Sequence, residues 1–109
     1  MSFKVDATHN FEREFKWLYK KYRSLKKDLE KLISELEVNP NKGTPIGSNC
    51  YKIRFSISSK SKGKSGGARI ITHVFVSGKV IYLLSIYDKS EKSTLTETEI
   101  KELLKFIEK

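Results

Sequence analysis

Between residues 60 and 92 the chain reads K-S-K-G-K-S-G-G-A-R, then two apolar runs, then Y-D-K-S-E-K. Lys60, Lys62, Lys64 and Arg69 flank a double glycine, and Tyr87, Lys89 and Lys92 follow the second run. These residue types suit phosphodiester chemistry without a metal. An RNA strand is cut when a 2′-hydroxyl attacks the neighbouring phosphate and leaves a 2′,3′-cyclic end. A protein assists by aligning that hydroxyl, taking its proton and neutralising the pentacoordinate phosphate. Arginine suits the last task, because its planar fork binds two phosphate oxygens and stays charged. A lysine crowded by other cations gives up its proton more readily and can share in proton transfer. A tyrosine stacks on a splayed base or donates a hydrogen bond. Arg69, Lys62, Lys64, Tyr87 and Lys89 are therefore the candidate catalytic set.

Other chemistries find little support. The sequence contains no H-E-x-x-H, no C-x-x-C and no Walker loop, and K-G-K-S-G-G-A-R lacks the spacing of a nucleotide P-loop. His9 and His73 are the only histidines, and Asp88 and Glu91 are the only carboxylates near the basic segment. A magnesium-dependent nuclease needs clustered acids to hold its ion. No metal and no cofactor are expected. Cys50 is alone, so it forms neither an intrachain disulfide nor a thiolate metal site, and a place at a strand start in the core is expected for it.

The chain has 109 residues, a length that suits one domain with a modest core, and a net charge of +9. That charge is concentrated. Residues 52–92 hold nine basic side chains against two acidic ones, whereas residues 93–109 are slightly acidic. Local concentration of charge points to a polyanion or an acidic partner. No apolar run approaches the length of a membrane span, and the opening M-S-F-K-V-D is no signal peptide. The expectation is a cytoplasmic protein without a membrane partner.

The elements that must position these residues follow from periodicity. Phe3 and Val5 alternate with polar neighbours as a short first strand. Phe11, Phe15, Leu18 and Tyr22, then Leu25, Leu29, Leu32, Ile33 and Leu36, recur at helical spacing, and Ser24 is a good N-cap between them. Two such helices in tandem read as a helical hairpin. Trp17 and Tyr19 fall off the apolar stripe, free for solvent or a partner. Residues 39–47, with both prolines and two glycines, read as punctuation that ends the helical half.

Residues 50–58 then alternate strictly. Tyr51, Ile53, Phe55 and Ile57 form one face, and Lys52, Arg54, Ser56 and Ser58 the other. Two further strands, 68–77 and 80–87, read as a hairpin about Gly78, which sets Arg69 opposite Tyr87 and places His73 on the same face as Arg69. Both are apolar on each face and so belong at the centre of the sheet. Overlapping capping boxes, Thr94–Glu97 and Thr96–Glu99, open a final helix. The fold expected is α+β, in the order β-α-α-β-β-β-α. Two helices pack on one face of a mostly antiparallel sheet, and the basic residues Lys52, Arg54, Lys60, Lys92 and His73 extend an RNA-binding surface on the other.

C-Y-K-I-R-F, K-G-K-S-G-G-A-R-I-I and K-V-I-Y-L-L-S-I-Y-D-K-S-E-K-S-T-L, followed by a capped helix, together resemble the RelE/ParE superfamily of bacterial toxins, in particular its HigB-type members. The resemblance covers about residues 50–105. It implies a small toxin fold and a type II toxin–antitoxin module. HigB-type toxins cut mRNA on the ribosome without metal. Their antitoxins carry a helix-turn-helix domain, so operator DNA would be reached only through the antitoxin. Carried onto this chain, Lys52 and Arg54 match basic positions on the RNA-facing strand, and Lys62 and Lys64 match the loop lysines. Arg69 matches the arginine that holds the scissile phosphate, and Lys89 the basic position after the last strand. The chain departs from the pattern at Ser61, Ser90 and Leu95, where the family has a glycine, often an arginine, and nearby a tyrosine.

Three activities remain open on this reading. The first is a ribosome-dependent mRNA endoribonuclease, the second a ParE-like gyrase inhibitor, and the third an RNA-binding module without catalysis.

Overall fold

The computed structural model describes residues 3–59, 67–89 and 95–107. In chain order the elements are β1 (Lys4–Ala7), α1 (His9–Tyr19), α2 (Leu25–Val38), β2 (Thr44–Gly47), β3 (Cys50–Phe55), β4 (Ala68–Phe75), β5 (Val80–Asp88) and α3 (Glu97–Leu104). The strands form one sheet in the order β1-β5-β4-β3-β2. Only β1–β5 is parallel; the other three pairings are antiparallel. The most apolar strands, β4 and β5, lie inside the sheet, as their two-faced patterning requires.

One face of the sheet carries the main core. Phe11 and Leu18 of α1 and Leu25, Leu32 and Leu36 of α2 pack on Ile53, Phe55, Ile70, Ile81, Leu83 and Ile86. Each fully buried side chain of this size is worth about 1.5–3 kcal/mol against exposure. Thr8 starts α1: its hydroxyl accepts from the Phe11 amide at 3.2 Å and donates to the Leu83 carbonyl at 3.1 Å, so one residue caps the helix and ties it to β5. The opposite face holds a smaller cluster, in which Cys50, Ile71, Leu84 and Tyr87 meet Ile100 of α3. The Thr96–Glu99 capping box forms at the start of α3, while Thr94 lies outside the described residues. No helix among the described residues is long and apolar enough to cross a membrane.

Two local features differ from the sequence reading. The punctuation at 39–47 contains a fifth strand, β2. Its edge position tolerates Pro45, and a turn with positive φ at both Ser48 and Asn49 folds it back on β3. Ser24 stands at the N-cap of α2 but makes no capping bond. Its hydroxyl instead donates to Asp28 Oδ2 at 2.8 Å and accepts from the Ser59 amide at 2.8 Å. Asp28 also takes the Ser58 amide at 2.9 Å and the Ser58 hydroxyl at 2.6 Å. The chain leaving β3 is thereby fastened to the start of α2.

Candidate functional site

Three side chains form a row across the sheet. Arg54 on β3 is the register partner of Arg69 on β4, and Arg69 is the partner of Tyr87 on β5. Their neighbours in the strands, Ile53, Phe55, Ala68, Ile70 and Ile86, belong to the main core, so alternation puts the row on the opposite face. Like charges directly opposite each other on a sheet are destabilising. Ion pairs among the described residues join Lys4 to Asp6, Lys42 to Glu35 and Lys105 to Glu102, and neither arginine takes part in one. Arg69 Nη1 donates to the Ala68 carbonyl at 3.2 Å. The row is thus a cationic pair open to an anion.

Lys52, half-buried, stands one step along the same face, where its partner is Ile71. Lys89 follows β5, is exposed, and donates its amide to the Gly67 carbonyl at 3.4 Å, at the end of the sheet nearest the row. Tyr87 is 8% exposed, so only a small part of its ring is presented. Lys60, Lys62, Lys64 and Lys92 lie outside the described residues.

The pairing of Arg69 with Tyr87 depends on a β-bulge. From Val80 to Leu83, β5 pairs with Phe75 back to Thr72; from Ser85 to Asp88 it pairs with Ile71 back to Ala68, and Leu84 is the extra residue. Had the register of Val80–Leu83 run on without a bulge, the ladder would set Ile86 opposite Arg69 and turn Tyr87 toward the main core. The bulge is braced from α1. β1 reaches only as far as Leu83, which leaves the outer edge of β5 unpaired beyond it. Asn10 Nδ2 donates to the Leu84 carbonyl at 3.0 Å, and Glu14 Oε1 accepts from the Ser85 hydroxyl at 2.8 Å and the Ile86 amide at 3.1 Å. Asn10 and Glu14 were not among the candidate residues read from the sequence. Their signal was two polar side chains at i, i+4 beside the stripe of Phe11 and Leu18.

His73 lies on the same face, two rows from Arg69, between Cys50 and Tyr82. Its Nδ1 is 3.0 Å from the Ser48 carbonyl and 3.7 Å from Cys50 Sγ, and its ring stacks on Tyr82. Burial lowers its pKa, against the raising effect of the Ser48 carbonyl. Cys50 is fully buried, as a core position requires, and burial pushes its thiol up to about 11. For Asp28, burial alone would raise the pKa, but the hydrogen bonds from Ser58 and Ser24 and the charge of Lys31 bring it below its ordinary value. Among the described residues no group of three or more His, Cys, Asp or Glu side chains is placed to hold a metal ion.

A cleft of about 470 Å³ opens between α1 and the end of β5, and of the row Tyr87 lines it. Arg13, Glu14, Lys16, Trp17, Lys20 and Tyr87 are among its lining residues.

No family model matches the sequence. Two solved structures align along nearly the whole chain. A free-state mutant of the E. coli toxin RelE with two arginines changed to alanine has a TM-score of 0.65 at 21% identity, covering 99% of this chain and 100% of that one. The isolated E. coli RelE toxin has a TM-score of 0.60 at 18% identity, covering 96% and 99%. The chain has a RelE-like fold. The small α+β architecture expected from the sequence, with two helices on a mostly antiparallel sheet and a C-terminal helix, is the one found.

Proposed function

We propose that this chain is the toxin of a type II toxin–antitoxin module, of the HigB type, and that it cuts mRNA on the ribosome without a metal. The observation that carries this reading is the Arg54–Arg69–Tyr87 row: two arginines that are register partners, neither of them in an ion pair among the described residues. Such an arrangement costs folding stability, and a bound phosphate offsets that cost.

In the proposed reaction the 2′-hydroxyl of one nucleotide loses its proton and attacks the adjacent phosphorus. The bond from phosphorus to the 5′-oxygen breaks, that oxygen takes a proton, and the products are a 2′,3′-cyclic phosphate and a 5′-hydroxyl. Arg69 holds the non-bridging oxygens, which gain charge in the pentacoordinate state. Arg54 and Lys52 bind the flanking backbone. Lys62 and Lys64 add positive charge for the phosphate, with Lys60, Lys92 and His73 extending the contact. Tyr87 and Lys89 position and move the protons. The partner is an antitoxin of the helix-turn-helix type that covers this basic face or docks beside it.

The test is induction in a bacterium of the wild type beside Arg69→Ala, with mRNA 5′ ends mapped. Codon-phased cuts within translated frames, lost in the variant, are expected. Growth arrest with intact transcripts would overturn the nuclease, and inhibition of DNA supercoiling in a purified gyrase assay would replace it with the ParE-like activity.

A further inference from the structure

The cleft at the end of β5 belongs to α1, an element that the phosphodiester chemistry does not use. Trp17 is 54% exposed there, although tryptophan gains much from burial. Arg13, Lys16 and Lys20 line the same cleft, and Lys21 Nζ lies 5.4 Å from the centre of the Trp17 ring. None of these four cations is in an ion pair among the described residues. Glu14 is the acidic residue of the lining, and its Oε1 is held against β5 by Asn10, Ser85 and the Ile86 amide. The cleft therefore presents positive charge and one large aromatic face, and Tyr87 is also in its lining. An exposed aromatic among cations is the platform on which single-stranded nucleic acid stacks. The cleft's volume falls within the range of about 300–1,000 Å³ that small-ligand sites occupy.

We propose that α1 is a second contact for single-stranded RNA, in which Trp17 stacks on a base while Arg13, Lys16 and Lys20 hold the backbone of a strand that continues past Tyr87 to Arg69. This rests on the reading of the Arg54–Arg69–Tyr87 row as an RNA site and extends it by one subsite. It assigns α1 a part in setting where along the strand the row engages.

Trp17 is the chain's single tryptophan, so its emission reports on this site alone. The experiment titrates the full chain with a labelled single-stranded oligoribonucleotide at low salt. Anisotropy follows binding, and tryptophan emission follows contact at α1. Inorganic polyphosphate serves as the charge-only control. RNA is expected to quench Trp17 and polyphosphate to bind without doing so. Trp17→Leu should weaken binding roughly tenfold, in line with the loss of one base–aromatic stack. Lys16→Gln with Lys20→Gln should lower the salt slope of binding by about 0.7 per lysine.

Binding that leaves Trp17 emission unchanged, or equal quenching by polyphosphate, overturns the α1 contact. If that binding still weakens in Arg69→Ala, the row stands without it. Quenching that persists in Arg69→Ala while neither protein cuts translated mRNA sinks the nuclease and keeps the α1 contact. RNA bound by neither the wild type nor the variants overturns the α1 contact and leaves the row to be judged by the mapped mRNA 5′ ends.

Discussion

Tyr87 faces Arg69 across the β4–β5 ladder because the register shifts by one residue at the Leu84 bulge. β1 ends opposite Leu83, which would leave the Ile86 amide and the Leu84 carbonyl without strand partners on that edge, and Glu14 and Asn10 of α1 supply them. A buried amide left unsatisfied costs about 1–3 kcal/mol. Glu14→Ala is therefore expected to lower stability by roughly that amount and to reduce cleavage by letting Tyr87 leave its register. Glu14→Gln keeps an acceptor oxygen and should keep most of both. Chemical denaturation and the mRNA cleavage assay on the two variants check this. Equal behaviour of Ala and Gln would show that Glu14 acts through its charge.

Arg54 and Arg69 are register partners of like charge. Their repulsion is worth about 0.2–1 kcal/mol. Arg54→Ala should therefore leave the protein as stable as the wild type or slightly more so, while weakening RNA binding and flattening its salt dependence by about one phosphate contact. The gain should shrink as salt screens the wild-type pair. A loss of stability in Arg54→Ala at low salt would mean that the pair is packed rather than opposed.

Two groups make stability fall with acid, in separate windows. The folded pKa of His73 is lowered from its ordinary value of 6.5, so its contribution is present above that value and is lost as pH falls below it through the folded pKa. Asp28 is lowered from 3.8, so its contribution is intact above that value and is lost only as pH falls further. Among the described residues the groups facing His73 are the Ser48 carbonyl, the Cys50 thiol and the Tyr82 ring. Denaturation measured across pH should show a first decline below about 6.5 that His73→Phe removes and Asp28→Asn leaves in place. Asp28→Asn should instead lower stability at neutral pH, where Ser58 loses its carboxylate, and converge on the wild type in strong acid.

Much of this was legible in the sequence because the residues that carry it obey simple periods. The basic face of β3 followed from strict alternation, and the two central strands from their two-faced apolarity. The Arg69–Tyr87 pairing was reached by centring the hairpin on Gly78. The turn actually closes between Phe75 and Val80, half a residue earlier, and the extra Leu84 restores the pairing. No local pattern announces that bulge, since it depends on β1 ending at Ala7 and on α1 side chains reaching β5. The strand β2 was hidden for a related reason: Pro45 and Gly47 break an interior strand but not an edge strand, and edge position is a property of the sheet. Ser24 has the right identity for a cap, yet the chain at Ser58 and Ser59 offers its hydroxyl and Asp28 better partners.

Gly67 carries no chemistry, but the row should fail without it. It joins the site at the start of β4 with φ of +108°, and its carbonyl accepts from the Lys89 amide. A Cβ there would stand 2.6 Å from the Phe55 carbonyl oxygen, a backbone atom that cannot swing away. Gly67→Ala must therefore push β3 from β4 beside Arg54 and Arg69, besides holding an unfavourable φ, for a combined cost of about 1–3 kcal/mol or more. Gly47→Ala is the control. Its φ is +96°, but nothing lies within 4 Å of the added carbon, and it belongs to the edge strand away from the row. Denaturation should show a larger loss for Gly67→Ala, and mRNA cleavage should fall in that variant and persist in Gly47→Ala. Full cleavage by a folded Gly67→Ala would mean that the spacing of β3 and β4 at this end does not set the geometry of the site.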